Sequence, residues 1–458
     1  MVAGKRVTVL GAARSGLAAA SLLRSAGARV FVSEQRPEEA IKDTASELRS
    51  LGVGLETGGH TDAAIDADLI VVSPGVPSSA LVVRGAVARG IPVYSEIEAA
   101  SWFCRAPIVA VTGSNGKTTT TVLAGEIFKN GAGAVPARRV FVRGNVGDAF
   151  AGIAGEARPG DIVVLEVSSF QLDHVERFHP RVALLLNITP DHLDRYDRSF
   201  EKYIASKMRI AVNLTPDDAL IYWSGDEVLR REVERLPAGH GTKYRFNIED
   251  DGAAAAFVRE GVLVLRLHGK EEPLIPPAEI AIKGTHNLLN SMGAALAAWI
   301  MGVTGDVIAR TLRMFRGVEH RLEFVAEIGG VAYVNDSKAT NVDSVWYALQ
   351  SFTGRRIVLL LGGRDKGNDY TRLLALVKEN VRTIVAIGES ADKVVGAFQD
   401  VVPVVRALTM EEAVKAAQSR AGEGDVVLLS PACASFDWFD DYEHRGRAFK
   451  KIVGALPK

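Results

Sequence analysis

The chain has 458 residues, 47% of them hydrophobic and 24% charged, which predicts a soluble globular protein of about three domains. With 54 Lys and Arg residues against 55 Asp and Glu residues, it carries no charge excess to attract nucleic acid or a membrane surface. Its two cysteines lie far apart without metal or redox spacing, and no apolar run is long enough to span a bilayer. We therefore expect a cytoplasmic protein that binds small molecules.

A strand–helix alternation over residues 5–102 predicts the first domain. The predicted strands are Arg6–Leu10, Arg29–Ser33 and Asp68–Ser73, with a helix at Gly16–Ala26. The GAARSG stretch from Gly11 to Gly16 is similar to a dinucleotide-binding turn, and Glu34 follows roughly 20 residues on, as in that fold. Because Ala13 replaces the middle glycine, close approach of a pyrophosphate is hindered. NAD is therefore disfavoured, while another nucleotide-type ligand above these strand ends remains open.

The next stretch, IVAVTGSNGKTTTT, predicts a phosphate-binding loop. A buried strand at Ile108–Val111 leads into a glycine-rich turn and then a helix, so backbone N–H groups can surround a phosphate. Lys117 would add charge for terminal phosphates, and the Thr118 hydroxyl could ligate Mg²⁺. The usual pattern has a glycine where this chain has Val111, so the loop is a shortened variant. A purely structural glycine turn is the alternative.

Polar residues follow several later strands of the same region. Asn145 lies in a glycine turn, Glu166 ends a predicted strand at Asp161–Leu165, and His192 follows a strand at Arg181–Asn187. A carboxylate at the end of a strand beside a phosphate loop is well placed for Mg²⁺. Asn287 and Asn290, one turn apart on a predicted helix, either reach a base or cap that helix.

A third α/β region begins near Gly317. Its predicted strands are Val331–Asn335, Ile357–Leu361, Thr383–Ile387 and Val426–Leu429. Three of them are followed by polar clusters, at 336–341, 362–367 and 430–436. Ligands of open parallel sheets bind beyond the carboxyl ends of the strands, so the three clusters together predict a binding site. The expected domains are 1–103, 104–316 and 317–458.

Several motifs together resemble the Mur ligase family over essentially the whole chain. They are TGSNGKTTTT, EVSSFQ from Glu166, NITPDHLD from Asn187, GTHN from Gly284, EHR from Glu319, NDSKATN from Asn335, GGRDK from Gly362 and SPACAS from Ser430. The resemblance implies an α/β fold with a Rossmann-like N-terminal domain, a central P-loop-type ATPase domain and a Rossmann-like C-terminal domain. The last three motifs are similar to the D-glutamate-adding branch. That branch attaches D-glutamate to UDP-N-acetylmuramoyl-L-alanine through an acyl phosphate, in peptidoglycan precursor synthesis.

The resemblance also implies roles for individual residues. It places ATP on Gly113, Ser114, Asn115, Gly116, Lys117, Thr118, Thr119, Asn290, Arg321 and Asp336. It places Mg²⁺ on Thr118, Glu166, His192 and Lys207, and catalytic roles on Lys117, Asn145, His192 and Lys207. D-glutamate is expected on Lys338, Thr340, Lys366, Ser435 and Phe436, and the UDP-sugar on Arg14, Ser15, Gly75 and Asn145. The family's acidic–threonine pair corresponds here to Ser33–Glu34, whose role stays open. A monomer is expected.

Lys207 stands inside an apolar stripe of a helix that is predicted to begin after Ser199 and to run to Asn213. An ammonium group there must reach the surface, pair with an acid or lose its charge. In the family, the lysine fifteen residues after the loop histidine is carbamylated, so the resemblance implies a carbamate on Lys207.

Three other functions compete with this interpretation. The first is another ligase of the same fold, either L-alanine-adding or similar to folylpolyglutamate synthase. The second is a nicotinamide-dependent dehydrogenase that uses the N-terminal turn, although Ala13 and the phosphate loop argue against it. The third is a non-catalytic nucleotide-binding module, which would not require Glu166, His192 and three polar clusters.

Overall fold

The computed structural model describes residues 2–131, 139–145, 147–352, 354–365 and 367–457. The chain divides into two compact units, one formed by Met1–Ile280 and Leu289–Met314, the other by Ala281–Leu288 and Phe315–Lys458. Two sheets belong to the first unit and one to the second. The expected α/β class is confirmed, whereas the boundaries near residues 103 and 316 stay predictions. None of the described helices combines the length and apolarity needed to cross a bilayer.

The first sheet has five parallel strands in the order β3-β2-β1-β4-β5. Its elements are β1 (Arg6–Leu10), α1 (Arg14–Ser25), β2 (Arg29–Ser33), α2 (Lys42–Ser50), β3 (Gly54–Glu56), β4 (Leu69–Val72), α3 (Leu81–Ala88), β5 (Val93–Ser95) and α4 (Glu96–Ser101). The strand order reverses at β1, because β2 pairs on one side and β4 on the other. Such a reversal opens a crevice at the carboxyl ends of the strands, where α/β proteins bind ligands.

The second sheet has nine strands in the order β14-β13-β12-β11-β10-β9-β6-β8-β7. Its first elements are β6 (Ile108–Thr112), α5 (Lys117–Asn130), β7 (Val140–Gly144), α6 (Ala151–Ala154), β8 (Ile162–Glu166), α7 (Ser169–Leu172), β9 (Val182–Leu185) and α8 (Phe200–Met208). The remainder are β10 (Ala219–Trp223), α9 (Glu227–Arg235), β11 (Thr242–Glu249), β12 (Ala256–Arg259), β13 (Val262–Leu267), β14 (Lys270–Ile275), α10 (Thr285–Ile300) and α11 (Gly305–Met314). Strands β6 to β12 pair in parallel, whereas β12, β13 and β14 pair antiparallel. The β6 strand, buried throughout, lies between β8 and β9.

The third sheet has six strands in the order β15-β16-β20-β17-β18-β19, parallel except for the β15–β16 pair. Its elements are β15 (Glu323–Ile328), β16 (Val331–Asn335), α12 (Val342–Gln350), β17 (Ile357–Gly362), α13 (Leu374–Asn380), β18 (Val381–Ile387), α14 (Ala391–Phe398), β19 (Val404–Arg406), α15 (Met410–Gln418), β20 (Val426–Leu429) and α16 (Tyr442–Gly454). The central strands β17 and β20 are buried along their whole length, as continuous apolar runs predict.

Two helices differ from what local sequence preference indicates. All four threonines after Lys117 lie in the first turns of α5 and are at most 2% exposed. Tertiary burial of that helix therefore outweighs the low helix propensity of threonine. The α8 helix, predicted to extend to Asn213, ends at Met208 and continues only as a 3₁₀ turn at Arg209–Ala211.

Within the first unit, α4 connects the two sheets through two buried glutamates. Glu98 accepts hydrogen bonds from the backbone N–H groups of Glu176, Arg177 and Phe178 and from the Trp102 indole. Glu96 is 1% exposed, and one of its oxygens accepts a single bond of 2.6 Å from the Ala151 N–H. Its other oxygen has no partner in the described part of the chain. Burial raises the pKa of Glu96 to about 7.

We predict that Glu96 makes stability depend on pH. Between its ordinary pKa of 4.5 and about 7, the folded chain holds a proton that the unfolded chain releases, so stability falls as pH rises through that window. The total loss should be about 3 kcal/mol. Glutamine does not titrate. In urea unfolding, the free energy of unfolding of Glu96→Gln minus that of the parent protein should therefore increase by about 3 kcal/mol between about pH 5 and about pH 8. The exposed Glu39→Gln is the control, and a pH-independent difference for Glu96→Gln would contradict the prediction.

Candidate active site

The phosphate loop joins β6 to α5, and glycines form its two sharp turns. Gly113 has φ +157° and Gly116 has φ +85°, the left-handed region that favours glycine. A Cβ on Gly116 would lie 2.3 Å from Oδ1 of Asn290, whose residue is 5% exposed. The loop therefore needs glycine at 116 for its backbone conformation and also because the Asn290 side chain occupies the adjacent space.

Asn187, at the end of the β9 region, holds the middle of the loop. Its Oδ1 accepts from the Asn115 N–H at 2.8 Å, and its Nδ2 donates to the Asn115 carbonyl at 3.0 Å. Ser114 is fixed from the same side, since its hydroxyl donates to the Thr189 carbonyl and accepts from the Thr189 N–H. These reciprocal bonds fix the direction of the loop peptides before any ligand binds.

Two lysine side chains converge on the carbonyl of Gly113. Lys117 Nζ donates to Gly113 O and Ser114 O, both at 2.9 Å, and Lys207 Nζ donates to Gly113 O at 2.7 Å. Lys207 is 1% exposed and lies 4.7 Å from the centroid of the Tyr203 ring. Burial, and next the charge of Lys117, lower the pKa of Lys207 well below its ordinary value, although Asp191 and Glu166 oppose the shift. The side chain does not reach the surface, and its neutral amine is favoured.

Glu166 and Asn145 lie beside the loop because their strands flank β6. The β8 strand sets Glu166 opposite Val111, and this carboxylate is 1% exposed. Asn145 Nδ2 donates to Glu166 Oε1 at 2.9 Å, while the Asn145 N–H donates to the Glu166 carbonyl. Asn145 therefore connects the buried acid to the adjacent crevice.

His192 lies in a loop that also contacts the first sheet's crevice. The residue has φ +51°, its ring meets Phe170 edge-on at 5.0 Å, and its Nε2 lies 3.7 Å from Asp191 Oδ2. Arg195, in the same loop, donates to the carbonyls of Pro74 at 3.1 Å and Gly75 at 3.0 Å. Its guanidinium also stacks over the Phe170 ring. The loop that carries His192 and Arg195 is therefore hydrogen-bonded to the turn that follows β4.

A cavity of about 1060 Å³ in the first unit contains the four predicted UDP-sugar residues. Arg14, Ser15, Gly75 and Asn145 all line it. Glu34, also in its lining, accepts from the Ala12 N–H at 2.7 Å and from the Arg36 guanidinium. Burial alone would raise the pKa of Glu34, but the bonds from Arg36 and Ala12 outweigh it and lower that pKa to about 2. The charged carboxylate therefore fixes the turn after β1.

The second unit has its own buried carboxylate, Asp336, at the end of β16. Asp336 accepts from the Ser430 hydroxyl at 2.8 Å and from the Leu322 N–H at 3.2 Å. Burial raises its pKa to about 6 against the opposing charge of Arg321. The Arg321 Nε is itself buried and has no hydrogen-bond partner among the described residues. Both oxygens of Asp336 therefore accept a hydrogen bond, whereas the Arg321 Nε keeps an unused donor among the described residues.

The predicted amino-acid residues of the second unit differ in exposure. Ser435 is 2% exposed, Thr340 is half-buried and Phe436 is 60% exposed, while Lys366 lies outside the described residues. Lys338 Nζ lies 5.2 Å from the centroid of the Tyr442 ring, so an aromatic residue other than Phe436 lies beside this cation.

Family models match most of the chain. The Mur ligase MurD-like N-terminal domain matches residues 5–95, the Mur ligase middle domain residues 111–298, and the Mur ligase glutamate ligase domain residues 320–433. The chain belongs to the Mur ligase family. The predicted resemblance is therefore confirmed.

Curated relatives of this Mur ligase align over nearly their full length. A protein of Salinibacter ruber is 51% identical over 98% of both chains, and one of Chloroherpeton thalassium is 46% identical over 99% of this chain and 98% of the relative. Both are named UDP-N-acetylmuramoylalanine–D-glutamate ligase. Among solved structures, the UDP-N-acetylmuramate–alanine ligase MurC of Thermotoga maritima has a TM-score of 0.59 at 19% identity, covering 98% of this chain and 99% of that chain. This match shows the fold.

Sequence reasoning missed several residues that shape the site in this Mur ligase. Asn187 begins the NITPDHLD motif and Arg195 directly follows it, but their positions in the sequence do not show that one side chain holds the phosphate loop and the other contacts the first sheet. Tyr203 and Arg445 are far from any glycine-rich motif. Only a contact map across the fold identifies these four, because each acts on residues more than 70 positions away.

We predict that Asn187 is needed for nucleotide affinity at the phosphate loop. Asn187→Ala removes both bonds to Asn115, so the loop must be ordered by the ligand itself. This should weaken Mg-ADP binding by about five- to thirtyfold, as expected for the loss of about 1–2 kcal/mol of hydrogen bonding. Titration calorimetry measures the change, with the exposed Gln399→Ala as control. Unchanged affinity in folded Asn187→Ala would show that the loop is ordered without it.

Proposed function

We propose that this protein is an ATP-dependent ligase that joins D-glutamate to UDP-N-acetylmuramoyl-L-alanine. The observation that carries the proposal is the 51% identity to a ligase of that name over 98% of both chains. The site chemistry supports it, because a phosphate loop, a buried acid and a large neighbouring cavity occur together in the first unit. Peptidoglycan precursor synthesis and a cytoplasmic location follow from the proposal, and a monomer remains the expectation.

The reaction needs an activated carboxylate. The carboxylate of the UDP-sugar attacks the γ-phosphorus of ATP, giving an acyl phosphate and ADP. The amine of D-glutamate then attacks the acyl carbon, the tetrahedral intermediate loses phosphate, and the amine releases a proton. Phosphoryl transfer depends chiefly on positioning and on neutralising negative charge, which suits Lys117 at the start of α5.

The residues around the loop fit Mg²⁺, which ATP chemistry requires. The Thr118 hydroxyl has no hydrogen bond to any described residue, and the buried Glu166 carboxylate lies on the neighbouring strand. We propose these two hard oxygen donors as ligands of the metal, together with His192 and the carbamate oxygens that are proposed below for Lys207. When bound, Mg²⁺ would neutralise phosphate charge, while Lys117 holds the terminal phosphates.

The cavity accounts for the proposed UDP-sugar site. Its volume of about 1060 Å³ suits a large nucleotide-linked substrate, and Arg14 supplies a cation for the diphosphate. Asn145 lines this cavity and also bonds Glu166 beside the phosphate loop. A substrate that fills the cavity would therefore direct its free carboxylate end toward the phosphate loop through Asn145.

The second unit supplies the proposed D-glutamate site. D-glutamate carries two carboxylates, and we propose that Lys338, the Ser435 hydroxyl and Thr340 bind them. Lys366 and Phe436 are further proposed contacts. The Ser435 hydroxyl makes no hydrogen bond to a described residue although the residue is only 2% exposed. A buried hydroxyl of this kind is suited to a ligand oxygen.

We predict that phosphate release requires both UDP-N-acetylmuramoyl-L-alanine and D-glutamate. The decisive comparison is between D-glutamate and L-glutamate, which have the same charge and size. L-alanine is tested as a third amino acid. Only D-glutamate should support turnover above background, because a chiral site holds both carboxylates and directs one amine. Equal stimulation by L-glutamate, or stimulation by L-alanine, would contradict the D-glutamate assignment.

We also propose that Lys207 carries a carbamate. Its amine is buried, and burial lowers its pKa well below the ordinary value, which favours the neutral nucleophile needed to attack CO₂. The attack forms an N–C bond and releases one proton, converting the side chain into an anion. That anion would compensate Lys117, whose positive charge now opposes a charged Lys207, and would add oxygen ligands beside Glu166.

We predict that Lys207→Arg loses turnover by about 10²–10³-fold, because guanidinium forms no carbamate while keeping the positive charge. Removing bicarbonate from the buffer should lower activity of the parent protein and leave Lys207→Arg unaffected. Carbon-13 bicarbonate should give a carbamate resonance in the parent protein that is absent from the variant. The exposed Lys202→Arg, on the same helix, is the control. Full activity of Lys207→Arg, or no carbamate resonance, would contradict the proposal.

A further inference from the structure

A buried arginine lies where the three polar clusters of the second unit meet. Arg445, in the first turn of α16, is 1% exposed. Its guanidinium donates to Ser337 Oγ at 2.9 Å, Ser337 O at 2.8 Å, Cys433 O at 3.1 Å and Ala434 O at 3.3 Å. It therefore bonds simultaneously to the cluster after β16 and to the cluster after β20.

The third cluster, after β17, packs against the same group. A Cβ on Gly363 would lie 2.4 Å from the Ala434 carbonyl and 3.2 Å from Arg445 Nη1. The backbone pairing of Arg364 with Ala434 fixes this approach. One guanidinium thus contacts the bases of all three loops that carry the proposed amino-acid contacts.

Packing fixes Arg445 in this position. The next residue, Gly446, lies so close to β16 that a Cβ there would be 2.2 Å from His320 Nδ1 and 3.0 Å from Asn335 Nδ2. Asp441 caps the helix by accepting from the His444 N–H. The start of α16 is therefore held against the sheet from both sides of Arg445.

The charge of Arg445 forms no ion-pair hydrogen bond within the described residues. Every acceptor of the guanidinium is uncharged, and in the described part of the chain Asp437 and Asp336 attract it by charge but accept none of its hydrogen bonds. Burial lowers the pKa of Arg445 to about 10, so it stays protonated at neutral pH. A buried charge without a paired anion destabilises a fold compared with an apolar side chain of similar volume. The side chain therefore suits a role in a site better than a role in stability.

The carbonyls held by Arg445 determine where the other loop groups point. In a planar trans peptide, the N–H is directed opposite to the C=O. The Ala434 carbonyl accepts from the Arg364 N–H at 2.9 Å and from Arg445 Nη1 at 3.3 Å, so the Ser435 N–H of the same planar peptide is directed away from both donors. The same helix presents the Tyr442 ring to Lys338, and the Tyr442 carbonyl accepts from the Ser337 hydroxyl.

We propose that Arg445 is a positioning residue for the amino-acid substrate, holding the loops of Ser337 and Ala434 so that Lys338 and Ser435 face the substrate carboxylates. It does not touch substrate itself. The identity of that substrate as D-glutamate rests on the proposed function. ATP contacts should be spared, because Asp336 is held by Ser430 and Leu322 rather than by Arg445.

Steady-state phosphate release tests this, with ATP, the UDP-sugar and the amino acid varied in turn. Arg445→Lys keeps the charge but loses the planar fork that reaches several carbonyls together. It should raise KM for D-glutamate about tenfold or more, while kcat and the other two KM values change less than about threefold. Arg445→Met, which also loses the charge, should raise that KM at least as much. Arg447→Met, on the exposed face of α16, is the matched control and should change nothing.

Ser337→Ala is a second variant, which tests the same proposal if the Arg445 variants do not fold. It removes the acceptor of Arg445 Nε together with the hydroxyl's bond to the Tyr442 carbonyl, and it should raise KM for D-glutamate about threefold or more. Parallel rises of all three KM values, or a loss of thermal stability without a change in KM for the amino acid, would overturn the proposal. The parent protein is first assayed with several amino acids. If another one supports turnover, the proposed function fails, and KM for that amino acid then tests Arg445.

Discussion

The carbonyl of Gly113 accepts hydrogen bonds from both Lys117 and Lys207, and the central site depends on this convergence. Lys117 begins α5 and Lys207 belongs to α8. The Gly113 carbonyl therefore connects the phosphate loop to a helical residue that is 94 positions away in the sequence. Two cations this close repel, and burial removes the water that would screen them. Burial and the charge of Lys117 both lower the pKa of Lys207, which favours its neutral form. Any anion that enters the site changes this balance.

Parallel strand pairing explains why so many polar groups collect around that carbonyl. With β6 between β8 and β9, Glu166 lies opposite Val111 and Asn187 lies beside the loop. Each polar residue follows a buried apolar strand, so the sheet supplies stability while its carboxyl edge supplies chemistry. Asn145 and Arg195 connect this edge to the crevice of the first sheet, because Asn145 bonds Glu166 and Arg195 bonds the Pro74 carbonyl.

Buried polar groups occur throughout both units, and their chemistry differs with their partners. Glu34 is stabilised as an anion by Arg36 and the Ala12 N–H, whereas burial outweighs the hydrogen bonds to Glu96 and Asp336 and raises their pKa values. Arg445 stays charged although its acceptors are all neutral. Such groups lower the free energy of unfolding, and the continuous apolar strands of the three sheets offset that cost.

The sequence alone determined the fold class, the most apolar strands and the phosphate loop, but it did not predict the antiparallel strands β13 and β14. Apolar runs bounded by glycine and polar residues are local features, and β1, β2, β16 and β20 follow them. Contacts distant in sequence needed the tertiary structure. Which strands are neighbours decides that Glu34 fixes a turn and that Lys207 is buried. It also decides that Arg445 contacts the three loops. Strand order is set by cooperative packing of the whole chain, and no local pattern of residues encodes it.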